Sequence, residues 1–94
     1  MKKALQCLEG RWKMIILSHL FAREFMRFSE LHRAISEVSA KMLTQQLREL
    51  EADGIVDRTL YPEIPPRVEY KLTTLGNQLR PVFIALLDWA ELRK

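Results

Sequence analysis

Two serines placed to start helices, Ser29 and Ser39, stand close together in the chain, and each precedes a run of helix-forming residues. A serine oxygen accepts hydrogen bonds from the free amides of a first helical turn, so each marks a helix start. Ser29 opens Glu30-Leu31-His32-Arg33-Ala34, and Phe28 before it can staple the entry of the chain. Ser39 opens a run from Ala40 to about Asp53, with Gly54 as its stop. Only Ile35-Ser36-Glu37-Val38 remains to join them, so the two helices must turn sharply on each other.

Beyond Gly54 the period changes. Ile55 to Tyr61 and Arg67 to Leu72 are short, partly alternating runs of β-branched and aromatic residues, which predict a hairpin. Pro62, Pro65 and Pro66 fix φ and remove amide donors between the runs, so the tip is expected to project as a stiff wing. Thr73 or Thr74 can cap a last helix, which Pro81 should kink or break near Arg80. Ahead of the two serines, residues 3–9 read as a short helix ended by Gly10. Arg11 to Ala22 then reads as a central helix with apolar side chains nearly all round. Phe25 to Arg27 can add a minor third strand. The expected fold is mainly α with a small β-hairpin, a winged helix-turn-helix whose N- and C-terminal helices form a dimer interface.

The run after Ser39 carries the chemistry. At about 100° per residue, Leu43, Leu47 and Leu50 share one side of the helix, and Lys41, Thr44, Gln45 and Arg48 share the roughly opposite one. The second set offers hydrogen-bond donors and positive charge, which base edges and phosphates in a major groove accept. Gln45 suits adenine, and Arg48 suits guanine or a phosphate. Ser39, Lys41 and Met42 stand at the helix N-terminus, where DNA is met first. In the hairpin, Arg58 and Arg67 are the candidate contacts, Arg67 for a minor groove or phosphate unless Glu63 or Glu69 pairs with it.

The last helix carries Phe83, Leu86, Leu87, Trp89 and Ala90 on more than one face. A helix apolar all round needs cover on both sides, so these residues are candidates to pack on the first helix, with its Leu5 and Leu8, or on its copy in a partner chain. A two-fold dimer places two reading helices one DNA turn apart, about 34–36 Å, and predicts a pseudo-palindromic site.

Composition sets bounds. Ninety-four residues suit one domain over 1–94, divided into 3–22, 28–53, 55–72 and 73–93 for the N-terminal helices, the helix-turn-helix, the wing and the C-terminal helix. An apolar fraction of 48% with 29% charged residues describes an ordinary globular chain, and the net charge of +3 leans modestly towards anionic partners. Glu9, Arg11 and Lys13 interrupt any apolar leader, so a cytoplasmic chain without membrane contact is expected.

One cysteine and two distant histidines make no metal site, catalytic pair or triad, and no phosphate-binding glycine loop or cofactor is called for. His19 reads as a hydrogen-bonded core residue, His32 as exposed or near phosphate, and Glu49 as solvated charge. Cys7 falls on an apolar position of the first helix and reads as a small core or interface residue. It is also the one candidate for a redox role, with Lys2, Lys3 or Arg11 able to lower its pKa if it is exposed.

The runs Glu9-Gly10-Arg11-Trp12-Lys13, Met42 to Glu51, Tyr61 to Tyr70 and Leu72-Thr73-Thr74-Leu75-Gly76 together resemble the HxlR-type winged-helix transcriptional regulators. The resemblance implies a homodimer on operator DNA, with Ser39 to Arg48 as the start of the recognition helix. Two departures stand out: Glu37 occupies a turn position where many members carry glycine, and redox-sensing members place their cysteine some ten residues ahead of Cys7. A winged helix used only to bind another protein is the rival reading. A small-molecule or redox effector remains open.

Overall fold

The computed structural model describes residues 11–92, with the elements α1 (Arg11–Ala22), β1 (Met26–Arg27), α2 (Phe28–Ala34), α3 (Ala40–Ala52), β2 (Val56–Tyr61), β3 (Arg67–Leu72), α4 (Thr74–Asn77) and α5 (Arg80–Leu92). The helix expected over residues 3–9, with Leu5, Cys7 and Leu8, lies outside the described residues.

Helical spacing builds the core. Ile16, Leu17 and Leu20 of α1 and Leu43, Leu47 and Leu50 of α3 are buried, with Leu31, Ile35 and Val38 from α2 and the turn beside them. Met26, Ile55, Val56, Tyr70 and Leu72 close the core from the sheet side. The sheet has the order β1-β3-β2, antiparallel throughout. Val56 stands opposite Leu72 and Tyr61 opposite Arg67 in the hairpin, and Met26 opposite Tyr70 at the short edge strand.

The ends of α3 follow the chemistry of its flanks. Ser39 Oγ accepts from the Met42 amide at 3.1 Å, as its position in the sequence predicts. At the other end Gly54 adopts φ +76°, its amide donates to Glu51 O and the Ile55 amide donates to Leu50 O, both at 3.0 Å. That pattern satisfies the last carbonyls and carries Ile55 into the core beside Leu50. The start of α2 differs from expectation, because Arg27 and not Ser29 occupies the cap position. Glu30 reaches back to accept from the Arg27 amide at 2.8 Å, so the carboxylate does the work expected of the serine.

Thr73 is the cap after the hairpin. Its hydroxyl accepts from the Gly76 amide at 2.9 Å and donates to Gly54 O at 2.6 Å, joining the end of α3 to the start of α4. A side chain at Gly76 would meet Ile55 O at 2.2 Å, so only glycine allows this approach. The helical segment expected over 73–93 is two helices, broken before Arg80 as Pro81 requires.

Three charged or polar residues sit otherwise than expected. His19 is half-buried and not in the core, because the buried stripe of α1 runs through residues 13, 16, 17 and 20. His32 is also half-buried, within 3.1 Å of Val38 O through Nε2. Glu49 is not free in solvent, since Lys13 Nζ lies 2.7 Å from its Oε1.

Candidate nucleic-acid interface

Helix α3 turns its leucines inward and leaves Ser39, Lys41, Met42, Gln45 and Arg48 exposed, with Thr44 half-buried between them. Lys41 and Arg48 make no ion pair among the described residues, so their charge is available to an anion. Thr44 donates its hydroxyl to Ala40 O at 2.8 Å, which leaves it to act outward as an acceptor. Met42 Sδ receives Gln46 Nε2 at 3.5 Å. Ser39 uses its oxygen as the cap and so sets where this face begins.

The turn before α3 has a tie that sequence reasoning missed. His32 reaches from α2 to Val38 O, the carbonyl just ahead of Ser39, and its ring lies 6.1 Å from that of Phe28. With a carbonyl as its partner Nε2 is the donor, and the bond fixes the angle at which α3 leaves the turn. Exposed Glu37 projects from the same turn and takes no part in this tie.

Facing α3, the hairpin forms the other wall of a cleft of about 900 Å³, whose lining includes Arg27, Thr44, Arg48, Arg58 and Arg67. Arg58 is exposed and makes no ion pair among the described residues. Arg67 is held: its guanidinium lies 3.4 Å from Glu63 and 3.4 Å from Glu69, and it stacks over Tyr61 at 4.3 Å. The wing therefore spends the charge of Arg67 on its own rigidity and presents a fully exposed Ile64 at its tip. Arg27, absent from the sequence-derived site, enters the cleft from the cap position of α2; the basic residue just ahead of Phe28 was the available signal.

Behind α3, Lys13 is 6% exposed, the one buried charged residue among those described. Its hydrogen bond and positive charge hold the Glu49 carboxyl below the usual carboxylate range. This pair could have been found: Lys13 falls at the i, i+3, i+4 and i+7 spacing of Ile16, Leu17 and Leu20, so it had to be buried and had to have a partner.

At the far end of the molecule α5 has no buried residue. Leu86, Leu87 and Trp89 are between 45% and 56% exposed, and Ala90 is exposed beside them. Phe83 differs, since its ring packs 5.2 Å from Phe21 of α1, and Arg80 donates to Phe21 O at 2.9 Å; these contacts anchor the first turn of α5. Among the described residues no helix is long and apolar enough to cross a membrane, and no cluster of His, Cys, Asp or Glu can hold a metal.

A capped helix pair followed by a projecting hairpin, whose strands join the short strand ahead of the pair in a three-stranded sheet, defines a winged helix-turn-helix protein. The model of the HxlR-like helix-turn-helix family matches residues 7–94, and the chain belongs to that family, one of transcriptional regulators and not of enzymes. It is 48% identical over 92 residues to the helix-turn-helix-type transcriptional regulator YtfH of Escherichia coli, covering 97% of this chain and 71% of YtfH. It is 44% identical over 87 residues to YdeP of Bacillus subtilis, covering 93% of this chain and 67% of YdeP. The chain thus spans about two thirds of the length of such curated relatives. Among solved structures, the redox regulator HypR in its reduced form superposes with a TM-score of 0.88 at 43% identity, covering 94% of this chain and 86% of HypR. Reduced YodB of B. subtilis superposes at 0.85 with 38% identity, covering 97% and 88%.

Proposed function

We propose that the chain binds double-stranded operator DNA sequence-specifically, as a homodimer on a pseudo-palindromic site. The observation that carries this reading is α3, whose buried Leu43, Leu47 and Leu50 turn an exposed row of Lys41, Gln45 and Arg48 outward beside a projecting wing. A row of this kind fits a major groove: Gln45 and Arg48 meet base edges, and Lys41 meets phosphate near the helix N-terminus. Arg58 and Arg27 face the strand that would cross the cleft. Arg67 supports the wing from within, so its role is to hold Ile64 and the hairpin tip in place.

The dimer reading rests on α5, because leucines as exposed as Leu86 and Leu87 on an apolar helix are covered most simply by its own copy. Its Leu86, Leu87, Trp89 and Ala90 form the contact, together with Leu5 and Leu8 of the N-terminal segment, and the whole of 1–94 acts as one unit. A cytoplasmic location accords with this role.

Titration of the purified chain with mixed-sequence duplex DNA at increasing salt tests the reading. Neutralised phosphates release counterions, so log affinity should fall linearly with log salt, by about 0.9 per phosphate contacted. Absence of binding at low salt, or binding indifferent to salt, would leave only a module that pairs with acidic proteins.

A further inference from the structure

We infer that the Lys13–Glu49 ion pair is a positioning device for Gln45, fixing the orientation of its side-chain amide and so the base that α3 prefers. The inference rests on the DNA reading above. The two oxygens of Glu49 are divided between two tasks: Oε1 takes Lys13 Nζ at 2.7 Å, and Oε2 lies 3.4 Å from Gln45 Nε2. Lys13 arrives from α1, 6% exposed, and an ammonium that far from water holds its carboxylate firmly, because losing it would strand a buried charge.

A glutamine amide alone on a helix surface can present either its NH2 or its carbonyl in a given direction, and the two are nearly isosteric. An ionised carboxylate only accepts. Glu49 is kept ionised by the hydrogen bond and charge of Lys13, so Gln45 must turn its NH2 towards Glu49. One N–H is then engaged, and the second N–H and the carbonyl remain for the groove. An acceptor and a donor side by side are what the major-groove edge of adenine matches through N6 and N7. Lys13 and Glu49 touch no base in this scheme; they act through Gln45.

The test begins with selection of an operator from a random duplex library by the purified full chain. Affinities for that operator and its single-base-pair variants are then measured for the parent chain, Glu49→Gln, Lys13→Met, Gln45→Ala and each double with Gln45→Ala. A glutamine at 49 can donate as well as accept, and so permits the reversed amide at Gln45. Discrimination at the base pair whose preference Gln45→Ala abolishes should drop by between about threefold and tenfold in Glu49→Gln and in Lys13→Met. Discrimination at the pairs that depend on Arg48 should hold, and neither substitution should add anything once Gln45 is alanine.

Losses spread evenly over all positions, or persisting in full beside Gln45→Ala, would overturn the inference and make the pair a strut between α1 and α3. Unchanged discrimination in both single variants would overturn it equally. A library that enriches no sequence removes the DNA reading itself, a failure distinct from an enriched operator without coupling. Far-UV circular dichroism checks the fold of each variant, and if Lys13→Met does not fold, Glu49→Gln carries the decision, since its amide oxygen still accepts from Lys13 and turns its NH2 towards Gln45.

Discussion

Helices α3 and α5 are each 13 residues long, but α3 buries three leucines in the core, whereas α5 has no fully buried residue and packs on α1 through half-buried Phe83. What each leaves outside differs in kind. The exposed side of α3 carries lysine, glutamine and arginine with Met42 and Glu51 among them, whereas that of α5 carries valine, isoleucine, leucine and tryptophan beside Arg80, Asp88 and Glu91. A polar, cationic surface is stable in water and gains by meeting an anion. An apolar surface of this extent is stable only when covered. On the proposed reading the two partners are separated by chemistry, DNA at α3 and a second copy at α5, so the two faces can be broken independently.

The largest effect is expected inside α3. Leu47 is 1% exposed on the core side of α3, and Leu47→Ala should cost about 2–5 kcal/mol of folding stability, read from urea unfolding. A loss below 1 kcal/mol would mean that α3 is not packed as the core requires. On α5 the corresponding change, Leu87→Ala, should leave the secondary structure unchanged and weaken self-association by about 1.5–3 kcal/mol, measured by sedimentation equilibrium. If Leu87→Ala left the association constant unchanged, α5 would not be the dimer contact and the contrast between the helices would lose one side.

Gln45→Ala and Arg48→Ala come next. Each should weaken binding to a selected operator by about 1–3 kcal/mol without altering the unfolding midpoint. Arg48→Ala should also make the salt dependence shallower if its contact is a phosphate. Equal affinity in both variants would remove these residues from the site and leave α3 as a solvated face.

Most of this contrast was legible in the sequence, because it depends on periodicity and on a few residues with one structural use. Ser39, Gly54, Thr73 and Pro81 each sit where their chemistry demands. What was not legible depends on contacts between distant segments. Ser29 looked like a cap, but Glu30 binding back to Arg27 moved the start of α2 by two residues, a competition that only the entry angle of the chain decides. His32 meets Val38 because the turn closes on it. For Arg67 the sequence left a DNA contact and a pairing with Glu63 or Glu69 both open, and the register of the hairpin set it against both acids and over Tyr61. The Lys13–Glu49 pair was half visible: the buried stripe of α1 announces a lysine in need of a partner, but which acid answers depends on how α1 crosses α3.

That pair supports the smallest and sharpest prediction, because it ties the polar face of α3 to the core. The Glu49 carboxyl is depressed below its ordinary value of 4.5, chiefly by the hydrogen bond from Lys13 and then by its charge. A carboxyl whose pKa is lower in the folded chain binds protons more readily when unfolded. Its contribution to stability is therefore complete above the ordinary value and disappears as pH falls through the folded one. Glu30 is depressed likewise, first by the hydrogen bond from the Arg27 amide, and its contribution fades over the same range. Urea midpoints followed downwards from neutral pH should therefore fall for the parent chain below about pH 4.5. They should fall less steeply for Glu49→Gln, which retains only the Glu30 component of the two. Because the Glu49 side chain is 44% exposed, the difference should be modest and should shrink in high salt. Parallel acid limbs for the two proteins would mean that Lys13 does not hold Glu49 in solution, and the outer face of α3 would then be joined to α1 through its leucines alone.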